Sequence, residues 1–205
     1  MLGGAAAGAF WLGGRVWPAP LAAVAAITVL AALSGGLHLD GLADSADGLL
    51  GGSTPEQRLE IMRDPQVGAF GVVALVLVLA GDLAALSGVS PARGAVALLG
   101  AGALSRLALL LVVVGLPYVR ESGLGTAAQS EGRLALELGF GSLCGLAPLL
   151  LDWRRGLLAV AAVVLAAGAV ALFSRARVGG ATGDVYGAVV EVSQLAALAA
   201  FAVRW

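Results

Sequence analysis

Ala19 to Leu37 runs for nineteen residues without a charged side chain, and five further apolar stretches follow it: Gly68 to Leu86, Gly94 to Leu116, Leu134 to Leu151, Gly156 to Phe173 and Val185 to Val203. A helix of about 20 such residues crosses the roughly 30 Å hydrocarbon core of a bilayer. Helices are also one of only two backbone arrangements that satisfy every N–H and C=O there. The expectation is an all-α, polytopic transmembrane bundle of six spans forming one integral membrane domain over residues 1–205. A seventh span is counted only if the Gly/Ala-rich stretch from Met1 to Trp17 crosses, instead of making a short or re-entrant helix with Trp11 and Trp17 at the interface.

The composition agrees: 60% of the residues are hydrophobic and only 12% charged, about half the charge of a soluble domain. The formal net charge is −1 and there is no lysine. No basic surface is therefore available for nucleic acid, which is excluded as a partner. The single cysteine, Cys144, cannot form an intrachain disulfide and reads as a small buried hydrophobe.

The charged residues that remain are placed with purpose. Directly after the first apolar run comes His38-Leu39-Asp40-Gly41-Leu42-Ala43-Asp44-Ser45-Ala46-Asp47-Gly48. In a helix, positions 40, 44 and 47 fall within roughly 60° of one another, on one face. Clustered carboxylates repel, and unless a cation holds them together one of them takes up a proton. An all-oxygen donor set suits a hard ion such as Mg2+, which takes one or two carboxylates and completes its shell with water and phosphate. Asp40, Asp44 and Asp47 are the candidate metal ligands, with Asp64 as a further ligand or a turn residue before Pro65.

Counting spans assigns sides. The polar segments 38–67, 117–133 and 174–184 follow the first, third and fifth spans and so share one face of the membrane, carrying nine of the thirteen acids. Arginines divide six against five between the faces, which sets no orientation by the positive-inside rule. Acids and arginines on one face suit a polyanion gripped through metal, with guanidinium forks on the remaining oxygens. Arg58 and Arg63, around a short expected helix from Ser53 to Arg63, are candidate clamps. His38, the only histidine, is a candidate base or ligand. Arg106, deep in a span, needs Asp82, Glu137 or Glu191 from another span as partner, or a substrate phosphate. Gly179 to Ala188 reads as a Gly-rich loop entering a helix, whose freed amides suit an anion and whose Asp184 sits in the first turn. Glu191, at i+7 from Asp184, is intramembrane.

Taken in order, the aspartate block, Arg58-Leu59-Glu60-Ile61-Met62-Arg63-Asp64 with Gly68, Ser105-Arg106, Tyr118-Val119-Arg120 with Gly123-Leu124-Gly125, and Thr182-Gly183-Asp184 with Gly187-Ala188 and Glu191 resemble the cobalamin synthase family. The resemblance runs from about residue 15 to the C-terminus. It implies an Mg2+-dependent adenosylcobinamide-GDP ribazoletransferase of the bacterial inner membrane, with its site facing the cytoplasm. Such an enzyme joins adenosylcobinamide-GDP to α-ribazole or its 5′-phosphate and releases GMP. Its partners are those corrinoid-nucleotide and ribazole substrates and membrane lipid, with a homo-oligomer allowed. It also implies His38, Asp47 and Asp184 as catalytic residues, and Arg58, Arg63, Arg106, Arg120, Thr182, Gly183 and Glu191 as substrate-binding residues.

Three departures from the family pattern stand out. A Phe/Thr-Arg-Leu-Pro-Val-Pro motif usual near the start is absent, Asp82 stands where a lysine is expected, and Gln194 stands where a second glutamate often follows Glu191. Two rival readings follow from the residues. A CDP-alcohol phosphatidyltransferase also places aspartates at a membrane boundary, but it needs an Ala-Arg pair and a second aspartate pair that do not occur here. An ion or proton carrier would use Asp82, Arg106, Glu137 and Glu191 as a polar path.

Overall fold

The computed structural model describes residues 2–120 and 152–204. Their regular structure is helical apart from one parallel β-bridge, Tyr118 to Ala181. In chain order the helices are α1 (Leu2–Gly13), α2 (Ala19–Leu33), α3 (Leu37–Gly51), α4 (Pro55–Ile61), α5 (Ala69–Ser87), α6 (Pro91–Gly115), α7 (Trp153–Val178) and α8 (Gly183–Ala202). Four of them, α5 to α8, are long and apolar enough to cross a membrane, and a fifth crossing is added if α2 and α3 together make one bent span. The expected span 134–151, with Glu137 and Cys144, lies outside the described residues.

The first apolar run is not the single straight helix expected from Ala19 to Leu37. The helix stops at Leu33, so α2 is about 22 Å long at 1.5 Å per residue and falls short of the hydrocarbon core by itself. The cause is local. Gly35 and Gly36 adopt φ of +61° and +74°, a left-handed conformation that glycine enters without steric cost, and the chain turns through 87° into α3. The aspartate helix therefore runs crosswise to the helix before it.

Helix ends follow the side chains available. Thr54, Ser90 and Thr182 each accept a backbone N–H of the first turn, at 3.3, 3.4 and 3.3 Å, ahead of α4, α6 and α8. Asp152 does the same for α7 and also pairs with Arg155. That hydrogen bond holds the Asp152 carboxyl below the usual range. Arg155 continues to the Val203 carbonyl, at 3.1–3.2 Å, tying the start of α7 to the end of α8. At the other end of α7, Gly179 with φ +85° closes the helix.

The core is built on α8. It is 72% buried, against 22–50% for the other candidate spans, and packs against α3, α5, α6 and α7. Small residues permit this: Gly187, Ala188, Ser193, Ala197 and Ala200 are buried along it. The short helix α1 lies against α2 and α6, with Phe10 buried over Gly94. Arg15 stacks on Trp11 at 3.6 Å just beyond.

Two departures from the family pattern meet inside the bundle. Gln194 on α8 donates through Nε2 to Asp82 Oδ2 on α5 at 3.0 Å, and both side chains are buried. Asp82 thus has a neutral amide as partner, and the charge that acts on Arg106 is that of Glu191.

Candidate active site

The three polar segments expected on one face do meet. Pro117 and Val119 exchange backbone hydrogen bonds with Ala181, at 2.9 and 3.0 Å, which lays 117–120 alongside the loop before α8. Arg120 pairs with Asp184 at 2.6 Å and donates to the Met62 carbonyl after α4 at 3.4 Å. Arg58 donates to the Arg177 carbonyl at 3.4 Å. Ser174 Oγ closes the loop on the Gly180 carbonyl at 2.6 Å.

The aspartate helix reaches this junction because glycine allows it. A Cβ on Gly41 would lie 2.8 Å from the Asp184 carbonyl oxygen and 3.2 Å from the Gly187 Cα; one on Gly187 would lie 2.9 Å from the His38 carbonyl oxygen. Both contacts are with backbone, so α3 and α8 cross at a distance that no other residue type permits. Asp40, next to Gly41, and Asp184, one turn before Gly187, are thereby brought to one mouth. The charges of Asp40, Asp184 and Asp47 all act on Asp44, and Arg120 acts on it in the opposite sense. Nothing in the spacing of the aspartates revealed Gly41 and Gly187 as determinants, although a glycine one residue after Asp40 and another three after Asp184 was a usable signal.

Exposure falls along α3. Asp40 is exposed, Asp44 intermediate and Asp47 buried. Asp47 accepts the backbone N–H of Gly68 at 2.7 Å and of Gly71 at 2.9 Å, one on each carboxylate oxygen. It therefore anchors the start of α5, where the helix dipole favours an anion. Substituting Asp47 with alanine is expected to lower stability by about 1–3 kcal/mol by leaving buried donors unpaired, and asparagine by less. Thermal unfolding in detergent checks this, and an unchanged midpoint for Asp47→Ala would remove the anchoring role.

The other expected site residues divide. Asp64 is exposed and its Oδ1 accepts from the Gln66 N–H at 2.9 Å, which makes it the turn residue before α5. Arg63 is exposed, whereas Arg58 is buried against the C-terminal turn of α7, where carbonyls attract a cation. Thr182 caps α8 through Val185 and lies 3.3 Å from Asp184 Oδ2, and Gly183 opens that helix. Deeper in, His38, Arg106 and Glu191 are electrostatic neighbours, and Arg106 donates to Ser105 Oγ at 3.0 Å. Sequence reasoning missed Tyr118 and Tyr186, whose rings stack at 6.1 Å beside the Arg120–Asp184 pair.

Among the described residues no three His, Cys, Asp or Glu side chains converge tightly enough to ligate one ion. The donor set nevertheless fits Mg2+, which requires only a carboxylate or two and fills its shell with water and phosphate. Asp40 and Asp44, one helical turn apart, are the carboxylates that could meet that requirement.

A family model described as cobalamin-5-phosphate synthase matches residues 1–202. The adenosylcobinamide-GDP ribazoletransferase of Azorhizobium caulinodans is 42% identical over 193 residues, covering 88% of this chain and 71% of that protein. The protein of the same name from Syntrophobacter fumaroxidans is 43% identical over 192 residues, covering 91% and 76%. The one from Roseiflexus sp. is 36% identical over 200 residues, covering 97% and 74%. No solved structure matches. With the aspartate helix, the arginine junction and the Thr-Gly-Asp turn all inside the matched region, the chain belongs to the cobalamin-5-phosphate synthase family.

Proposed function

We propose that this chain is an adenosylcobinamide-GDP ribazoletransferase, working in the bacterial inner membrane with its mouth toward the cytoplasm. The observation that carries the reading is the Arg120–Asp184 pair seated against Asp40 and Asp44, an acid-rich mouth with one guanidinium at the lipid boundary. Such a site suits a diphosphate brought in with a divalent ion.

The ribose hydroxyl of α-ribazole, or of its 5′-phosphate, attacks the phosphorus that carries the corrinoid arm. One O–P bond forms, the diphosphate bridge breaks, and its electron pair leaves with GMP. The hydroxyl proton passes to a carboxylate of the mouth or to His38. Asp40 and Asp44 would hold Mg2+, which when bound neutralises diphosphate charge and stabilises the departing GMP. Arg120 takes phosphate oxygens while staying close to Asp184, and the first-turn amides of α8 after Thr182 add neutral donors for the same anion. Asp47 keeps α3 and α5 together so that the carboxylates hold their spacing.

Purified protein given Mg2+, adenosylcobinamide-GDP and α-ribazole is expected to release GMP, with none formed when either organic substrate is omitted. Absence of release from well-folded protein would refute the reading. Ion flux through liposomes without nucleotide would assign Asp82, Arg106 and Glu191 to a carrier instead.

A further inference from the structure

A groove of about 490 Å³ opens at the glycine elbow between α2 and α3, beside the mouth just described. Leu37, Leu39, Ala43, Val67 and Leu75 line it with apolar surface, and the charged side chain in its wall is Asp40. Asp40 therefore belongs to two places: one turn from Asp44 at the acidic mouth, and at the polar edge of an apolar recess. A molecule lying in this recess has its far end at the carboxylates.

We propose that the groove binds the heteroaromatic base of the acceptor nucleoside, with the ribose hydroxyls at Asp40. The proposal rests on the transferase reading and assigns one of its two substrates to a place. A corrinoid carrying its peripheral amide side chains is larger than this volume. Guanine carries donors and acceptors around its edge, which apolar walls leave without partners. Among the described residues the lining holds no guanidinium for a phosphate. The ribazole base is flat and methylated, and offers mostly apolar surface. A recess with apolar walls and one hydrogen-bond acceptor matches it. The elbow contributes by its shape: Gly35 and Gly36 turn the chain sharply without placing side chains in the space that the turn opens.

The test fills the groove from its exposed rim. Val67 and Leu37 are about half exposed, so enlarging them does not disturb the core. Val67→Trp is expected to weaken α-ribazole binding to the full-length protein at least tenfold in equilibrium dialysis. It should raise the KM for α-ribazole correspondingly and leave the KM for adenosylcobinamide-GDP unchanged. Leu37→Phe, tested separately, should move the same two quantities in the same direction even if the tryptophan variant inserts poorly. Unchanged α-ribazole binding in both variants, or a shift confined to the KM for adenosylcobinamide-GDP, would overturn the assignment. So would loss of α-ribazole binding by the wild type on adding excess phospholipid, which would make an acyl chain the occupant. A wild type that releases GMP while the variants keep normal α-ribazole binding defeats the groove alone, whereas a wild type that releases no GMP defeats the transferase reading itself.

Discussion

Asp44→Ala is expected to cut GMP release by about 10³-fold, the scale of losing a group that stabilises transition-state charge. Asp44 occupies the middle of the acidic mouth: Asp40 is one turn before it on α3, Asp184 faces it from α8, and Arg120 is the opposing charge. On the proposed reading its removal takes away a ligand for the divalent ion, and at the same time it relieves repulsion among like charges. Activity and stability should therefore part company. The thermal midpoint of Asp44→Ala in detergent should equal or exceed that of the wild type while turnover collapses. Asp44→Asn should behave the same way, because it keeps the shape and loses the charge. Release of GMP at the normal rate by either variant would take Asp44 out of the reaction.

Gly41→Ala is the second large effect, and it works through backbone alone. The new methyl would stand 2.8 Å from the Asp184 carbonyl oxygen and 3.0 Å from the Asp184 Cα, neither of which can rotate away. The helices must separate, at about 1–3 kcal/mol for overpacking. The shift also carries Asp40 and Asp44 away from Asp184, and a displacement approaching 1 Å costs about 10²-fold in rate. Gly168→Ala is the matching control. A Cβ there meets nothing within 4 Å, so both the unfolding midpoint and GMP release should be retained. Equal behaviour of the two alanine variants would show that the close crossing of α3 and α8 is not needed.

Asp82 and Gln194 illustrate how two departures become one feature. Read separately, each removes a charge that the family resemblance led one to expect. In the folded chain they are hydrogen-bonded to one another across α5 and α8. An aspartate facing an amide stands where a lysine facing a glutamate was anticipated. The pairing preserves a polar link between the two helices while changing which charges the interior carries, and it leaves Glu191 as the counter-charge to Arg106.

What was legible in the sequence was whatever depends on local pattern. Apolar runs of span length marked α5 to α8 to within a few residues. The described parts of the three polar segments also come together, as the contacts of Arg58, Val119 and Arg120 show. The spacing of Asp40, Asp44 and Asp47 correctly implied one helix, because side-chain direction within a helix is set by periodicity. Where the carboxylates went after that was a matter of neighbours. Asp47 lies within the same arc as the other two, yet its oxygens hold the first amides of α5, a partnership that depends on where Gly68 and Gly71 are delivered. Arg58 and Asp64, also candidates from the sequence, have a helix terminus and a turn amide as their partners in the folded chain.

The bend at Gly35 and Gly36 was hidden for a different reason. Hydropathy counts apolar residues and is blind to φ, so a run that is apolar throughout looks like one helix even where two glycines turn it through 87°. Sequence alone thus determined that this protein is a bundle of apolar helices with an acidic cluster beside them, since burial and periodicity are properties of single segments. Only the tertiary structure decided that α3 crosses α8 at Gly41 and Gly187, bringing Asp40 and Asp44 to Asp184 and Arg120. Contact between segments more than a hundred residues apart is set by which backbones can approach, and no local pattern encodes that distance.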